Sequence, residues 1–318
     1  MKLQELQKRN MKFRPSFGIM MAELLSKRED VVFVVADSAR ACRFKMTEEI
    51  ASRVVDCGIA EQNMIGVSAG LARGGKKPVA FAFSPFASER CFEQIKLDVA
   101  YSNLNVVIVG SEAGIGMGTQ GVTHYGWEDI GVISSLPNMT IVSPADHLEM
   151  YKCMEAALQY DGPVYIRLSG GVPKSIYKKD YDFQVGKSIR VREGKDVCIF
   201  AVGTMVATAL EAAELLEEEQ IDASVVNMHT IKPLDEKAVL DAANNCKGVV
   251  SLEEHSIING LGSAIANVLA QASSGVKFLK LALPDSYPQT VSPYGIMLED
   301  FGLTSKQVAE TIKKRMLL

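Results

Sequence analysis

The sequence predicts an α/β fold with two doubly wound domains, and three observations support this. Short apolar and β-branched runs recur along the whole chain, and most segments between them have helical composition. The runs are continuous rather than alternating, which is typical of parallel strands that are covered on both faces. A segment rich in glycine, proline and charge, residues 170–187, separates two such series. The total of 318 residues fits two domains of roughly 100–200 residues each.

Strands and helices alternate in the predicted order, as a doubly wound fold requires. The apolar runs that predict strands lie at residues 31–36, 78–83, 105–110, 139–143, 164–168, 197–203, 223–228, 248–254 and 278–283. The segments that predict helices lie at residues 60–73, 88–101, 145–160, 204–219, 235–244, 261–271 and 305–315. We therefore predict a first domain over 1–172, a linker over 173–187 and a second domain over 188–318.

Charge and composition argue against several classes of protein. The net charge of −4 gives no broad cationic field for nucleic acid. The six cysteines are widely spaced, which favours unpaired thiols in a reducing cytosol over disulfides or a zinc site. The first ten residues are charged and lack an apolar signal core, and no apolar run approaches the ~18 residues of a membrane span. We expect a cytoplasmic protein that has no metal site of its own.

An acidic residue at the start of a predicted helix is the first candidate site. Glu61 lies in D-C-G-I-A-E-Q-N-M, residues 56–64, just after a polar turn that contains glycine. An acid there can simply interact with the helix dipole, which contributes typically ~0.3–1 kcal/mol. The neighbouring residues are small and apolar, so the carboxylate can also be buried. A buried carboxylate requires a hydrogen-bonding partner, and it can then serve in proton transfer.

A long glycine-rich loop follows a predicted strand and is the second candidate. The segment S-E-A-G-I-G-M-G-T-Q-G-V-T-H-Y-G-W-E-D spans residues 111–129. Within it, Gly116, Gly118 and Gly121 match the spacing of a dinucleotide fingerprint. A nicotinamide site would also need a helix to begin at once and an acid about 20 residues later, and the sequence indicates neither. His124 in this loop is the best acid–base candidate among the four histidines.

Two aromatic residues at the end of a predicted strand are the third candidate. Phe83 and Phe86 lie in A-F-S-P-F, residues 82–86. Aromatic residues at such a position commonly belong to the core. They can instead form a wall on which a flat heterocycle stacks, because aromatic faces favour offset stacking.

Taken together and in this order, these motifs resemble those of a known family. D-C-G-I-A-E-Q, G-L-A-R-G-G-K-K-P-V, F-S-P-F-A-S-E-R and the loop ending in G-V-T-H resemble the pyrimidine-binding domain of transketolase and of deoxyxylulose-phosphate synthase. H-T-I-K-P-L-D at 229–235 and the later G-L-G-S resemble their C-terminal domain, which has a smaller, mostly parallel sheet. The resemblance covers essentially the whole chain.

The resemblance implies roles for particular residues around thiamine diphosphate. Glu61 would hydrogen-bond the pyrimidine ring and exchange a proton with it. Phe83 and Phe86 would form the aromatic wall around that ring. Asp37 would be the acid near the cofactor at the subunit interface, and His124 would handle the protons of substrate hydroxyls.

The resemblance also implies a partner. Family members bind the cofactor's diphosphate and Mg²⁺, or Ca²⁺, through G-D-G and a distant asparagine, and this sequence contains no G-D-G. The resemblance covers only the second half of a full-length transketolase. We therefore expect a split enzyme, in which an N-terminal transketolase subunit supplies the diphosphate and metal site. An active α2β2 heterotetramer is the expected assembly, because the cofactor is shared across an interface.

The sequence departs from the family where a sugar phosphate is held. At positions where transketolases or deoxyxylulose-phosphate synthase use basic or hydroxyl residues, this chain has Ala41, Glu112, Gln120, Ser143 and Gly170. Arg90 and Arg167 remain and, with Gln120 and His124, are the predicted substrate contacts. A phosphate needs cationic or N–H donors. The donors can come from the partner, they can lie elsewhere in this chain, or the substrate is not an ordinary sugar phosphate.

The leading hypothesis is a thiamine-dependent ketol transferase subunit of carbohydrate metabolism, as in the pentose phosphate reactions. It would move a two-carbon unit from a ketose or ketose phosphate to an aldose. The enzymatic alternatives are decarboxylating relatives, namely a deoxyxylulose-phosphate synthase or the beta subunit of a 2-oxoacid dehydrogenase. A non-catalytic scaffold subunit is the alternative from another class.

Overall fold

Two separate sheets, each made mostly of parallel strands, organise the chain. The computed structural model describes residues 11–316, so the charged stretch at 1–10 lies outside the described residues. Within the described range, no helix has both the length and the apolar character that crossing a membrane requires.

The strands and their order define an α/β fold. The strands are β1 (Val31–Val35), β2 (Val54–Asp56), β3 (Lys77–Phe83), β4 (Val107–Ala113), β5 (Thr140–Val142), β6 (Val164–Ser169), β7 (Ile189–Arg192), β8 (Val197–Ala201), β9 (Ala223–Asn227), β10 (Thr230–Lys232), β11 (Gly248–Ser256) and β12 (Lys277–Leu283). The first sheet has the order β10-β5-β6-β4-β3-β1-β2 and the second has the order β12-β11-β8-β9-β7. Only the β10–β5 and β7–β9 pairs are antiparallel in the described chain. The predicted α/β fold with two mostly parallel sheets is confirmed.

Helices cover the faces of both sheets. They are α1 (Phe13–Lys27), α2 (Glu48–Ala51), α3 (Glu61–Arg73), α4 (Ser84–Ala87), α5 (Phe92–Gln94), α6 (Asp129–Ser134), α7 (His147–Gln159), α8 (Met205–Glu218), α9 (Glu236–Asn245), α10 (Leu261–Gln271), α11 (Tyr294–Asp300) and α12 (Ser305–Met316). A π-helix (Ile95–Ala100) continues α5, and two short 3₁₀ turns (Gly118–Gln120 and Val122–His124) lie in the glycine-rich loop.

Every predicted strand is present, and one predicted helix is wrong. The helix predicted over 88–101 is replaced by a turn that follows α4, then by α5 and the π-helix. Pro85 lies in the first turn of α4, and Ser88 leaves the helical region with φ −127° and ψ −78°. The Ser88 hydroxyl donates to the carbonyl of Ser84 at 2.6 Å. The helix α1 and the three- or four-residue strands β2, β7 and β10 were not predicted, because their sequences lack a clear apolar period.

A strand from the second half of the chain completes the first sheet. β10 pairs with β5 at the sheet edge, where the backbone N–H of Ser143 donates to the carbonyl of His229 at 2.8 Å. The Lys232 ammonium donates to the carbonyls of Ser134 and Leu136 at 2.8 and 2.5 Å. The H-T-I-K segment therefore covers an edge that would otherwise expose unpaired backbone groups.

Two buried acids hold the connecting segment, one at the N-cap of α7 and one within that helix. Residues 170–188 contain no helix or strand. Asp146 caps α7 and also accepts from the backbone N–H groups of Ile176 and Tyr177 at 2.9 and 3.0 Å. Glu149 is fully buried and accepts from the Asn227 amide of β9 and from the Tyr181 hydroxyl. Because Glu149 belongs to the first half and Asn227 to the second, these hydrogen bonds join the two halves.

A buried arginine network also connects the two sheets. Arg167 of β6, 1% exposed, donates to both carboxylate oxygens of Asp129 at 2.9 and 3.0 Å. It also donates to the carbonyl of Glu254 in β11 at 2.8 Å. The Glu254 carboxylate accepts from the N–H of Ile115 and from the Tyr294 hydroxyl, both at 2.7 Å. Burial opposes ionisation of Asp129, yet the Arg167 guanidinium holds the pKa of its carboxyl below the usual value.

Removal of Arg167 tests the strength of this connection. An Arg167→Met change leaves the buried Asp129 carboxylate unpaired, and we expect it to destabilise the fold by about 3–5 kcal/mol. Chemical denaturation followed by circular dichroism measures the change. Lys174→Met is the control because Lys174 forms an exposed ion pair with Glu211, which is worth at most about 1 kcal/mol. Equal effects of the two variants would contradict this assignment.

Candidate active site

Parallel strands of the first sheet end together at one edge, and the candidate site lies at this edge. Asp37 follows β1, Phe83 ends β3 and Glu112 lies near the end of β4. The register aligns β1 with β3 and β3 with β4, so these ends share one edge of the sheet. Ligands of open α/β sheets bind at this carboxyl edge.

Glu61 is buried at the first residue of α3. Its side chain is 6% exposed, and its Oε2 atom accepts from Arg90 Nη1 at 3.0 Å. The preceding residue, Ala60, provides no side-chain cap. The sequence predicted that a buried carboxylate here needs a partner, and that partner is Arg90. The ion pair holds the buried Glu61 carboxyl in place, while the Arg90 side chain is 45% exposed.

Two phenylalanines and a histidine lie beside this ion pair. The rings of Phe83 and Phe86 are perpendicular, with centroids 6.1 Å apart. The His124 ring lies 5.3 Å from Phe86 and 6.1 Å from Phe83. The Arg90 guanidinium lies over Phe86, 3.9 Å from the ring centroid, in a cation–π contact. An acid beside half-buried aromatic faces is an arrangement that can accept a flat, nitrogen-containing ring.

The glycine-rich loop positions His124. Gly121 adopts φ +79°, which favours glycine, and leads into the short 3₁₀ turn that ends at His124. The His124 Nδ1 atom lies 2.9 Å from the Thr123 hydroxyl. The buried Tyr125 anchors the loop by donating its hydroxyl to the carbonyl of Gly118 at 2.7 Å. His124 is therefore half-buried on a loop whose base is fixed.

The other predicted site residues do not join this cluster. Asp37 is exposed, with φ +52°, and its backbone N–H donates to Asp56 Oδ1 at 2.9 Å. Gln120 is exposed on the outer 3₁₀ turn. Arg167 is buried, and its guanidinium donates to Asp129 and to the carbonyl of Glu254; its contact with substrate stays a prediction.

Two cations that no sequence motif indicated are also brought to the site by the fold. The Arg14 guanidinium lies 5.2 Å from the centroid of Phe83. Lys12 Nζ and Arg14 Nε each lie 3.2 Å from a carboxylate oxygen of Glu112. About 100 residues separate these cations from the acid, so only the tertiary fold reveals the contact.

Family models match nearly the whole described chain. The pyrimidine-binding domain of transketolase matches residues 9–172. The C-terminal domain of transketolase matches residues 186–308. The chain belongs to the transketolase family.

Individual transketolase relatives cover the chain almost end to end. A 6-deoxy-6-sulfo-D-fructose transketolase subunit SqwH from Clostridium sp. (strain MSTE9) is 40% identical over 296 residues, which are 93% of this chain and 91% of that protein. An apulose-4-phosphate transketolase subunit from Actinobacillus succinogenes is 38% identical, and the match covers 80% of this chain and 83% of that protein. A solved structure of a split gene transketolase, described as an inactive beta4 tetramer, is 35% identical with a TM-score of 0.84, and the match covers 96% of this chain and 98% of that one. This chain is therefore similar to subunits of split transketolases.

A second, half-buried acid, Glu89, directly precedes Arg90 in the sequence. Burial and the nearby Asp129 charge raise the pKa of the Glu89 carboxyl to about 7. Its Oε1 atom is buried and has no hydrogen-bond partner within residues 11–316. Between pH 4.5 and about 7, the Glu89 carboxyl keeps its proton in the folded protein, whereas the unfolded chain, with a pKa of 4.5, has released it. Stability is therefore lost as the pH rises from about 4.5 to beyond 7.

A Glu89→Gln variant tests this assignment. The ionisation penalty of wild-type Glu89 grows by about 1 kcal/mol between pH 6 and pH 8. The stability of Glu89→Gln relative to wild type should therefore rise by the same amount. Urea denaturation at both pH values measures it, with the exposed Glu93→Gln as the matched control. The same pH dependence in wild type and Glu89→Gln would show that Glu89 is already ionised at pH 6.

Proposed function

We propose that this chain is the C-terminal subunit of a thiamine-diphosphate-dependent transketolase. With its partner, it would move a two-carbon ketol unit from a ketose, or a ketose phosphate, to an aldose. One observation carries the proposal: the buried Glu61 is paired with Arg90, and Arg90 lies over Phe86, next to His124. The chain that carries this arrangement belongs to the transketolase family. The relatives are named for different sugars, so their substrates are not transferred to this chain.

The cluster fits the pyrimidine end of thiamine diphosphate. When bound, the cofactor supplies the carbon nucleophile for the ketose carbonyl. Glu61 would hydrogen-bond the pyrimidine ring and exchange a proton with it. Phe83 and Phe86 would contact the faces of that ring. Arg90 would hold the Glu61 carboxyl in position through their ion pair. His124 would exchange protons with substrate hydroxyls, a role typically worth ~10²–10⁴-fold in rate.

A second subunit would complete the site. The sequence lacks the G-D-G motif, and within residues 11–316 no group of three or more acidic, histidine or cysteine residues could hold a metal. We propose that an N-terminal transketolase subunit with G-D-G supplies the diphosphate and Mg²⁺, or Ca²⁺, site in a cytoplasmic α2β2 heterotetramer. Asp37, exposed at the rim, would face that subunit. Relatives that are themselves subunits support this arrangement.

An apolar surface beside α3 fits the same partner. Ile59, just before α3, is 80% exposed. Leu97 on the π-helix and Tyr101 at its end are 52% and 85% exposed. The π-helix packs against α3, and Arg73 at the end of α3 donates to Ser102, so Leu97 and Tyr101 lie beside α3 while Ile59 lies at its beginning. Large exposed apolar side chains in one region are typical of a protein interface.

A Glu61→Gln change tests the catalytic role. In the enzyme assembled with its partner, we expect turnover of a ketose donor and an aldose acceptor to fall by about 10²-fold or more, because the amide cannot exchange the proton. A coupled assay of ketol transfer measures this, and the exposed Glu155→Gln is the control. Unchanged turnover would favour a non-catalytic scaffold. Carbon dioxide release from pyruvate would favour the decarboxylating relatives.

Paired Leu97→Asp and Tyr101→Asp changes test the interface. We expect the variant to fold, since both side chains are exposed, and to lose the mixed assembly with its partner, because two charges would be desolvated. Analytical ultracentrifugation of the mixture measures the assembly, and circular dichroism checks the fold. Ile296→Asp, which changes an exposed residue of α11, is the control. An intact heterotetramer in the paired variant would place the interface elsewhere.

A further inference from the structure

An acid and two cations form a cluster beside Phe83, one of the two aromatic residues of the candidate site. Glu112 is 3% exposed and adopts φ +54°, an uncommon value for a residue other than glycine. Lys12 Nζ donates to Glu112 Oε2 at 3.2 Å. Arg14 Nε lies 3.2 Å from Glu112 Oε1 but is misaligned for a hydrogen bond, so neither atom has a hydrogen-bond partner within the described chain. The Arg14 guanidinium also reaches the Phe83 ring.

Two of the positions at which related enzymes hold a sugar phosphate, 143 and 170, offer no free donor in this chain. The Ser143 hydroxyl is buried and donates to the carbonyl of Arg167 at 3.0 Å. Gly170 packs against Gly116 so tightly that a Cβ atom there would lie 2.1 Å from the Gly116 Cα. A cationic side chain at position 170 is therefore excluded by the backbone. Arg90 is already paired with Glu61.

The charge of Glu112 changes what Lys12 and Arg14 can bind. Two neighbouring cations alone would form a subsite for a dianion, since guanidinium and ammonium groups are the usual phosphate ligands. A buried carboxylate between them offsets one charge and repels an incoming phosphate at short range. A sugar hydroxyl suits the cluster better, because it can both donate to the carboxylate and accept from the guanidinium.

We propose that Glu112 is a specificity-determining residue that selects ketoses whose far end is an uncharged hydroxyl over ketoses that end in phosphate. This inference rests on the proposed transketolase function and narrows its substrate class. It resolves the three alternatives left by the sequence in favour of a substrate that is not an ordinary sugar phosphate.

The test uses the enzyme assembled with its partner and two ketose donors that differ only in phosphate, D-xylulose and D-xylulose 5-phosphate. Wild type is expected to have the higher kcat/KM with D-xylulose. Glu112→Gln keeps the shape and removes the charge, so the ratio of kcat/KM values should shift toward the phosphate ester by roughly tenfold or more. The exposed Glu155→Gln should leave the ratio unchanged.

A binding measurement keeps this test separate from the proposed function. Inorganic phosphate, titrated calorimetrically into the assembled complex, should bind Glu112→Gln roughly tenfold tighter than wild type or more. A wild-type preference for D-xylulose 5-phosphate, or a smaller change than this in phosphate affinity, would overturn the inference. If neither ketose reacts, the proposed function fails, while the phosphate titration still decides the role of Glu112.

Discussion

A carboxylate held almost out of water requires a partner, and the proposed site depends on how Glu61 meets this requirement. The first turn of α3 buries the acid, and Arg90 approaches from the turn that follows α4. The same guanidinium covers the face of Phe86, so charge pairing and aromatic stacking are fixed together. A flat heterocycle that binds at Phe86 would therefore meet the buried Glu61 carboxyl at its edge.

The edge of the first sheet is positioned by contacts with the second sheet. Arg167 and Glu254 hold the start of the glycine-rich loop through Ile115, and Tyr125 holds the loop again near its end. These anchors leave His124 beside the aromatic pair. The second half of the chain thus supports the site without contributing a side chain to the cluster around Glu61. The cost of losing Arg167 would therefore extend to the geometry of the loop.

Local patterns predicted most of the fold and part of the site. Continuous apolar runs such as β1 are buried throughout. Because burial on both faces requires apolar residues at every position, these strands could be predicted from the sequence. The helix predicted over 88–101 is wrong because the Ser88 hydroxyl donates to the backbone carbonyl of Ser84, next to Pro85, where a continuous helix would use backbone hydrogen bonds. Glu61, Phe83, Phe86 and His124 lie in short motifs, whereas the contact of Lys12 and Arg14 with Glu112 joins distant segments. The burial of Arg167 likewise depends on Asp129 and β11, and no local signal indicates it.

We propose that this chain carries only the pyrimidine half of a cofactor site, and such a chain would not hold the whole cofactor tightly by itself. Isothermal titration of thiamine diphosphate with Mg²⁺ tests this most directly, first into this chain alone and then into its mixture with the subunit that carries G-D-G. We expect saturable binding only in the mixture, with one cofactor per pair of unlike chains. Equally tight binding by this chain alone would contradict the proposed division of the site.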